Sequence, residues 1–528
     1  MNTTDKTSSR LIRNTVFSYG GYFGGLLISL FLTPFIIAHI GIAQYGLFIL
    51  VEVIIGTFSL LDVTGINTSY ITFIAEAHAR KDYDRLNRII VVGTGFYAAF
   101  WLLICTAAFF LKLWILHFFK IPASSMPLAA SAFSAILAVT FLLGTLSVFR
   151  SVLLGLQRFD LTSGILIIAA VINATGIIVL LSLGFGFKGL LIMCIVNITI
   201  TLSLQIIGAF HICPSLRKIR PVFDIPLFKE TFRFGMQVQI ARMGELINAQ
   251  VDKILIGHFL SVSMVGFYEV GAKVATVAQS FPIQLLKVIS PASTELNTLG
   301  KRTELLKLYY RASKYCALIT FPLTCYIVAH GHAVILLWIG KPGFNLSVLT
   351  MKVLCVGSML YILSYVGRSI VRGMGFPVYE MRSGIVITVL NISLSLILII
   401  KIGFTGALLG TAIATSIGAL YFISTFHRHI KENMVQKLFL NTYFIPATAS
   451  IIAAGLSLIP QMLWHSVLCG ATRLHAAYTI GASGIVFLIF FALIIHFSRY
   501  LDAFDYSLVK RAFQMLPYKF KEKTTPIL

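Results

Sequence analysis

The chain reads as an all-α integral membrane protein of about fourteen transmembrane helices, on three observations. Of its 528 residues, 58 % are hydrophobic and only 12 % charged, with a mean hydropathy of +0.90; a soluble domain carries about twice that charge. Apolar runs long enough to cross a bilayer, which takes about 20 helical residues, are centred near residues 27, 53, 103, 138, 172, 198, 247, 276, 321, 356, 390, 414, 451 and 486. Basic residues alternate in density between these runs. With successive loops on opposite sides, Lys112, Lys120, Lys188, Lys341, Lys401 and Arg473 fall outside, while Arg242, Lys253, Lys273 and Lys352 fall within spans. Most of the 42 Lys and Arg then lie inside, among them Arg80, Lys81, Arg85, Arg88, Arg217, Lys218 and Arg220. That asymmetry puts both termini in the cytoplasm.

Taken in order, the first run (16–40) is too long for a cleavable leader and shows no cleavage site. Its Gly20, Gly21, Gly24 and Gly25 permit close helix approach. Glu52 interrupts the run near 53, and the runs near 247 and 276 are polar, so hydropathy alone ranks these three lowest. Pro34, Pro282, Pro322 and Pro446 are expected to kink their helices. No loop is long enough to fold separately. The net charge of +23 is dispersed between apolar runs, which points to topology and anionic lipid rather than nucleic acid. The seven cysteines form no CxxC pair and sit mostly inside apolar runs, which indicates neither a disulfide framework nor a metal site. After Arg499 the tail carries Lys510, Arg511, Lys519, Lys521 and Lys523, a solvated or membrane-surface segment.

The chain also repeats itself. Arg150–Gly155 (RSVLLG) recurs as Arg368–Gly373 (RSIVRG), Val171-Ile172-Asn173 as Val389-Leu390-Asn391, Phe187-Lys188-Gly189 as Phe404-Thr405-Gly406, and Phe210-His211 as Phe426-His427. Ile37-Ala38-His39 before Tyr45-Gly46-Leu47-Phe48 parallels Ile256-Gly257-His258 before Val265-Gly266-Phe267-Tyr268. The shared register predicts a parallel six-helix duplication, a transporter architecture with its substrate site between the halves. The expected division is an N-lobe at 1–225 (spans 1–6), a C-lobe at 226–435 (spans 7–12), two extra helices at 436–498 and the basic tail at 499–528.

Residues 234–260 (FGMQVQIARMGELINAQVDKILIGHFL) set the functional question. On a helix, Ile240, Met243, Ile247, Val251 and Ile254 form one narrow apolar stripe. Gln239, Arg242, Glu245, Asn248, Gln250, Asp252 and Lys253 take most of the rest. The pattern predicts a spanning helix with a thin lipid-facing side and a broad side on a watery cavity, where intramembrane charge is tolerated.

The chain resembles the polysaccharide flippases of the multidrug/oligosaccharidyl-lipid/polysaccharide superfamily. The resemblance rests on Gly41–Phe48 (GIAQYGLF), Leu61–Ser69 (LDVTGINTS), Leu154–Leu161 (LGLQRFDL), Gln250–Gly257 (QVDKILIG), Leu308–Tyr315 (LYYRASKY), Leu337–Gly340 (LWIG) and Gly403–Ala414 (GFTGALLGTAIA). It implies export of undecaprenyl-pyrophosphate-linked oligosaccharides from the cytoplasmic to the outer leaflet of a prokaryotic plasma (inner) membrane, for O-antigen, capsule or exopolysaccharide synthesis. The arginine set of the lipid II branch is absent from the first two spans, where only Arg10 and Arg13 stand near the entrance. The protein would act as a monomer, alongside a glycan polymerase and glycosyltransferases, without catalytic residues or a cofactor beyond a coupling proton or sodium ion.

Such a substrate is bulky, polar and anionic, and needs a hydrated cationic passage. Arg242 and Lys253 on span 7, Lys273 on span 8 and Lys352 on span 10 are the candidate contacts. Gln239, Asn248 and Tyr22 are candidates for sugar hydroxyls. The plain alternative is that each base neutralises a nearby acid: Glu269 with Lys273 four residues apart, Glu245 with Arg242, while Asp252 or Lys253 reaches the outer interface. Glu52 is the first candidate for ion coupling, with Glu245, Asp252 and Glu269 behind it. Two other classes compete. A multidrug cation antiporter of the same superfamily needs an acidic, aromatic pocket, whereas the most polar helix here balances acids with bases. A membrane glycosyltransferase or polymerase needs a sizeable outer loop or an acidic cluster outside the first span; the loop at 38–44 has no carboxylate.

Overall fold

The computed structural model describes residues 24–507 apart from 26, 51, 54–63, 120, 122, 124–125, 215, 217–222, 287–288, 431–437, 465–471 and 506. For residues 64–66, 68, 79, 234, 237–247, 249 and 291 it describes the backbone alone. Tyr22 therefore lies outside the described residues, as do the side chains of Gln239, Arg242 and Glu245. Among the described residues every regular element is helical.

The first helical run, α1 (Leu27–Leu50), turns at Gly41, whose φ of +77° only glycine adopts without cost. Then follow α2 (Thr64–Ala79), α3 (Tyr83–Phe118), α4 (Met126–Gly155), α5 (Phe159–Ser182), α6 (Gly186–Ile212), α7 (Ile225–Phe259), α8 (Val262–Leu286), α9 (Ile289–Thr298), α10 (Arg302–Ala329), α11 (Gly331–Ile339), α12 (Asn345–Gly373), α13 (Val378–Ile402) and α14 (Phe404–Ile430). Two more, α15 (Phe439–Gln461) and α16 (Arg473–Phe497), end the bundle. The starts follow local chemistry. Asp82 accepts from the Arg85 amide at 2.8 Å ahead of α3, and Asp224 accepts from the Leu227 amide at 3.0 Å ahead of α7, where Pro226 occupies the first turn.

Among the described residues 11 helices are long and apolar enough to cross a membrane, which makes this a multi-pass membrane protein. The expected count was fourteen. The three runs that hydropathy ranks lowest account for the difference: residues 54–63 are outside the described set, and α7 and α8, with 35 and 25 residues, are long enough but too polar.

The helices recur in one order. Tyr83–Phe118 corresponds to Arg302–Ala329, Met126–Gly155 to Asn345–Gly373, Phe159–Ser182 to Val378–Ile402 and Gly186–Ile212 to Phe404–Ile430, with starts 218 or 219 residues apart.

The chain packs as two compact units. The first comprises 1–277, 345–354 and 381–418, and the second 278–344, 355–380 and 419–528. In the first, Tyr70, Tyr97, Trp101 and Phe149 form an aromatic core edged by Phe96, Phe228 and Phe232. The Trp101 indole lies on Gly144, where a Cβ would come within 1.9 Å of the ring nitrogen. Close approach over small residues supplies packing where lipid offers no hydrophobic gradient. In the second unit, Tyr309, Phe321, Phe422 and Phe426 are buried together. Arg368, only 2 % exposed, lies between the rings of Tyr361 (4.6 Å) and Phe422 (4.7 Å) and donates Nε to Ser364 Oγ at 3.1 Å; the ring faces offset part of its desolvation. Beyond α16, Asp505 accepts from Lys314 Nζ and, at 2.6 Å, from the Tyr315 hydroxyl, so the end of the described chain is fastened to α10.

Candidate functional site

The polar centre of the first unit is built on α7, α8, α13 and α14. Asp252, on α7 and 1 % exposed, accepts from the Tyr268 hydroxyl of α8 at 2.8 Å and from the Thr411 hydroxyl of α14 at 2.6 Å, both on Oδ2. Its other oxygen, Oδ1, is buried and has no hydrogen-bond partner among the described residues. Asn391 of α13, also 1 % exposed, turns its carbonyl oxygen to the same place: Ser395 Oγ stands 2.9 Å away and Thr411 Oγ1 3.0 Å. Ala407 O lies 3.3 Å from both of those hydroxyls. Gly410, beside Ser395, admits this approach of α14 to α13, since a Cβ there would lie 2.4 Å from Ser395 Oγ. The result is a cage of oxygen atoms around one carboxylate, with a lone oxygen left over. A buried carboxylate oxygen without a donor is costly, and hard cations are bound by such sets of carboxylate, hydroxyl and amide oxygens.

Beside the cage, the charges pair differently from the expectation. Glu269 meets Lys253 at 2.7 Å, across α7 and α8, instead of Lys273 on its own helix. Lys253 is thereby held inside the bundle rather than reaching for the interface, and Asp252 is buried in the cage. Lys273 instead donates to Ser29 Oγ (3.2 Å) and Thr33 Oγ1 (3.0 Å) of α1, with its ammonium 5.8 Å from the Tyr45 ring centre. Among the described residues it has no ion-pair partner. Glu52 is exposed, whereas Leu50 and Val53 are each 1 % exposed. Lys352 is half-buried on α12, with no ion pair among the described residues. Asn248 is engaged by its own neighbours: its side chain donates to Thr388 Oγ1 at 3.1 Å and accepts from Asn391 Nδ2 at 3.3 Å.

Near the turns at Gly41 and Ser261, the backbones of α1 and α8 come into close contact. A Cβ on Gly46 would lie 2.2 Å from Val262 O, and one on Gly266 would lie 2.8 Å from Ile42 O. These residues are repeat partners, Gly46 with Gly266 and Ile42 with Val262, so the contact is nearly its own mirror across the duplication.

The structure thus brings Asp252, Lys253, Glu269, Lys273 and Asn248 together on neighbouring helices. Sequence reading missed Tyr268, Asn391, Ser395 and Thr411 as members of the cage, and Ser29 and Thr33 as partners of Lys273. A signal existed: Asn391 and Ser395 stand four apart in an otherwise apolar helix, which puts both on one face.

The chain belongs to the polysaccharide biosynthesis protein family, whose model matches residues 40–342, more than half of it. It is 27 % identical over 254 residues to the "Uncharacterized membrane protein MJ1068" of Methanocaldococcus jannaschii, covering 48 % of each chain. It is 23 % identical over 283 residues to the "Probable low-salt glycan biosynthesis flippase Agl15" of Haloferax volcanii, covering 52 % of this chain and 57 % of that one. The chain therefore spans about half the length of the curated relatives it matches. Its fold is that of the lipid II flippase MurJ in an inward closed conformation, with a TM-score of 0.70 at 14 % identity over 91 % of this chain and 99 % of that one. An inward-facing multidrug resistance MATE family transporter shares the fold with a TM-score of 0.61 at 15 % identity, over 79 % of this chain and 94 % of that one.

Proposed function

We propose that the protein is a flippase that carries lipid-linked oligosaccharides across a prokaryotic plasma membrane by alternating access of its two repeat lobes, 1–225 and 226–435. The family match and the glycan flippase among the relatives support transport of a glycan precursor. The observation that carries the reading is Lys273. Lys253 has Glu269, whereas among the described residues Lys273 makes its hydrogen bonds to two hydroxyls and has no ion-pair partner. A cation held by neutral oxygens can exchange them for phosphate oxygens at a net gain, because hydrogen bonds between charged groups are the stronger ones. A cation-extruding pocket would need the reverse balance, although MATE transporters share the fold. Arg242 stands on the same helix as Lys253 and is assigned to the passage with it and Lys352. The carrier we assign is undecaprenyl pyrophosphate, and the protein carries out no chemistry on it.

The backbone contact of α1 with α8 at Gly46 and Gly266 serves as a gate, closed in this structure, on the side that loop charge assigns to the outside. The oxygen cage takes a coupling cation, sodium or a proton. Asp252, Asn391, Ser395 and Thr411 would hold it, and it would neutralise a carboxylate that the fold otherwise buries half-satisfied. Glu52 and Glu269 are the further acids of the coupling path.

The test is a strain lacking the gene, complemented or not by the intact chain. Pyrophosphate-linked oligosaccharide should accumulate on the inner leaflet while surface glycan disappears, and sugar analysis of the trapped lipid then names the glycan. Sensitivity to cationic drugs without accumulation would move the assignment to an antiporter. Unpolymerised units already on the outer leaflet would move it to an enzyme.

A further inference from the structure

We infer that Lys253 is a positioning residue of the passage: its ion pair with Glu269 keeps that acid off Lys273, whose ammonium stays available for phosphate. The inference rests on the reading of Lys273 as a phosphate contact.

Helix α8 carries one acid and one base, Glu269 and Lys273. They stand four residues apart with the acid first, the order in which a helical pair forms most readily. Their side chains leave the helix about 40° apart around its axis, so the two can meet without any movement of the backbone. They do not meet. Glu269 Oε2 lies 2.7 Å from Lys253 Nζ on α7, and Lys273 Nζ donates to Ser29 Oγ and Thr33 Oγ1 on α1. The side chains of Lys253 and Glu269 are only 19 and 13 % exposed. A carboxylate so sheltered needs a cation beside it, because removing one member of a buried pair leaves an uncompensated charge. Without Lys253, the base within reach of Glu269 on its own helix is Lys273. Paired there, Glu269 would compete with phosphate for the ammonium; left alone, it would repel phosphate. Both routes weaken an anionic substrate, and Lys253 closes both without touching it. Glu52 also attracts Lys273, but among the described residues the two form no ion pair. The pairing across α7 and α8 thus accounts for an acid being tolerated one turn from the cation that receives an anion.

The experiment uses the full purified chain in detergent and reads its thermal unfolding midpoint as potassium pyrophosphate replaces potassium chloride at constant ionic strength. A species that binds the folded state raises its stability according to concentration and affinity, so the response gives affinity without a transport assay. Wild type should rise with pyrophosphate. Lys273→Met should weaken binding about 10- to 100-fold, the worth of one charge-assisted hydrogen bond. Lys253→Met should weaken it comparably although Lys273 is still present, whereas Lys253→Arg keeps the pair and should retain binding. Lys253→Met combined with Glu269→Gln removes both charges of the pair and should recover most of the lost affinity. Lys253→Met combined with Glu52→Gln should recover less. The Lys253→Met/Glu269→Gln protein buries no lone charge at the pair, so it gives the answer if Lys253→Met does not fold.

A wild-type midpoint indifferent to pyrophosphate, or binding unchanged in Lys273→Met, would overturn the phosphate contact and this inference with it. Binding lost in Lys273→Met but unchanged in Lys253→Met would overturn the inference and leave Lys273 as the contact. A loss in Lys253→Met that Glu269→Gln does not restore would make Lys253 a direct contact and overturn its action through Glu269. Equal recovery with Glu52→Gln would assign the effect to the total charge of the passage and overturn the positioning role.

Discussion

The two halves of the repeat build the same helices and place different chemistry on them. By the register of the duplication, Asp252 stands where the first half has Thr33, Tyr268 where it has Phe48, Ser395 where it has Ile177 and Thr411 where it has Cys194. Only Asn391 keeps its residue type, as Asn173. A buried carboxylate needs donors around it, and the second half supplies Tyr268 and Thr411. The first half has apolar or weakly polar side chains at those places and carries a hydroxyl instead of the acid. That hydroxyl, Thr33, is one of the two that hold Lys273. Duplication thus retained the path of the backbone, and the halves divided the work: the second holds a candidate cation cage, and the first provides neutral oxygens to a lysine contributed by the second.

Substitutions at paired positions test this division. The largest effect is expected at Asp252. Asp252→Asn should abolish sodium-dependent stabilisation, a loss of more than about 100-fold in affinity if outer-shell partners alone account for 10- to 100-fold. Thr33→Val at the repeat position should leave that stabilisation unchanged. A loss in both would mean that the halves share one cation path.

Next comes Lys273. Lys273→Met removes a charge-assisted hydrogen bond, about 1.5–3 kcal/mol, and should raise the lipid-linked glycan concentration needed for half-maximal export roughly 10- to 100-fold. Thr33→Asp should lower export by the opposite route, giving Lys273 a permanent partner at the position where Thr33 Oγ1 now lies 3.0 Å away. Full export by a properly inserted Thr33→Asp protein would remove Lys273 from the passage.

The gate offers a paired test of smaller size. Gly46→Ala places a Cβ 2.2 Å from Val262 O and Gly266→Ala one 2.8 Å from Ile42 O. Overpacking of this kind costs about 1–3 kcal/mol. Both should make a cysteine introduced at Ala43 more reactive to impermeant maleimide, Gly46→Ala more so. Equal labelling in all three proteins would show that the contact does not seal that end.

The smallest effect is a control in the second unit. Burial pushes the Asp505 carboxyl up, but the hydrogen bonds from Lys314 and Tyr315 outweigh it and hold the group below the usual carboxylate range. A depressed folded-state value means that the stabilisation is fully present above the unfolded-state value and is lost only as pH falls through the folded one. The fastening of the chain end to α10 should therefore be unchanged between about pH 5 and 8, while Asp505→Asn should lower the unfolding midpoint at every pH in that range. A midpoint that varied with pH in wild type but not in Asp505→Asn would contradict this.

Much of this architecture was legible in the sequence, because lipid imposes a simple rule: each crossing needs a run of apolar residues. The runs, the repeat and the polar character of 234–260 follow from composition and spacing alone. The pairing of charges did not follow. Glu269 is four residues from Lys273, the spacing at which helical neighbours meet, yet it reaches Lys253 across two helices because α7 and α8 face each other there. Asn391 was readable only as a marker of the repeat, since nothing local tells that Asp252, about 140 residues earlier, lies beside it. Long-range placement of polar groups is set by packing, and packing in this bundle depends on glycines such as Gly46, Gly266 and Gly410, whose partners spacing does not reveal.

The central claim is that an anionic lipid-linked glycan crosses through a passage in which Lys273, held by neutral hydroxyls, is a phosphate contact. It is tested most directly in proteoliposomes holding the purified chain and a polyprenyl-pyrophosphate-linked oligosaccharide, by following the lipid's accessibility to an impermeant glycan-oxidising reagent. The account predicts that wild type speeds transfer between leaflets, that Lys273→Met slows it severely, and that inorganic pyrophosphate competes with it. Transfer at the protein-free rate, or transfer equally fast in Lys273→Met and unaffected by pyrophosphate, would contradict it.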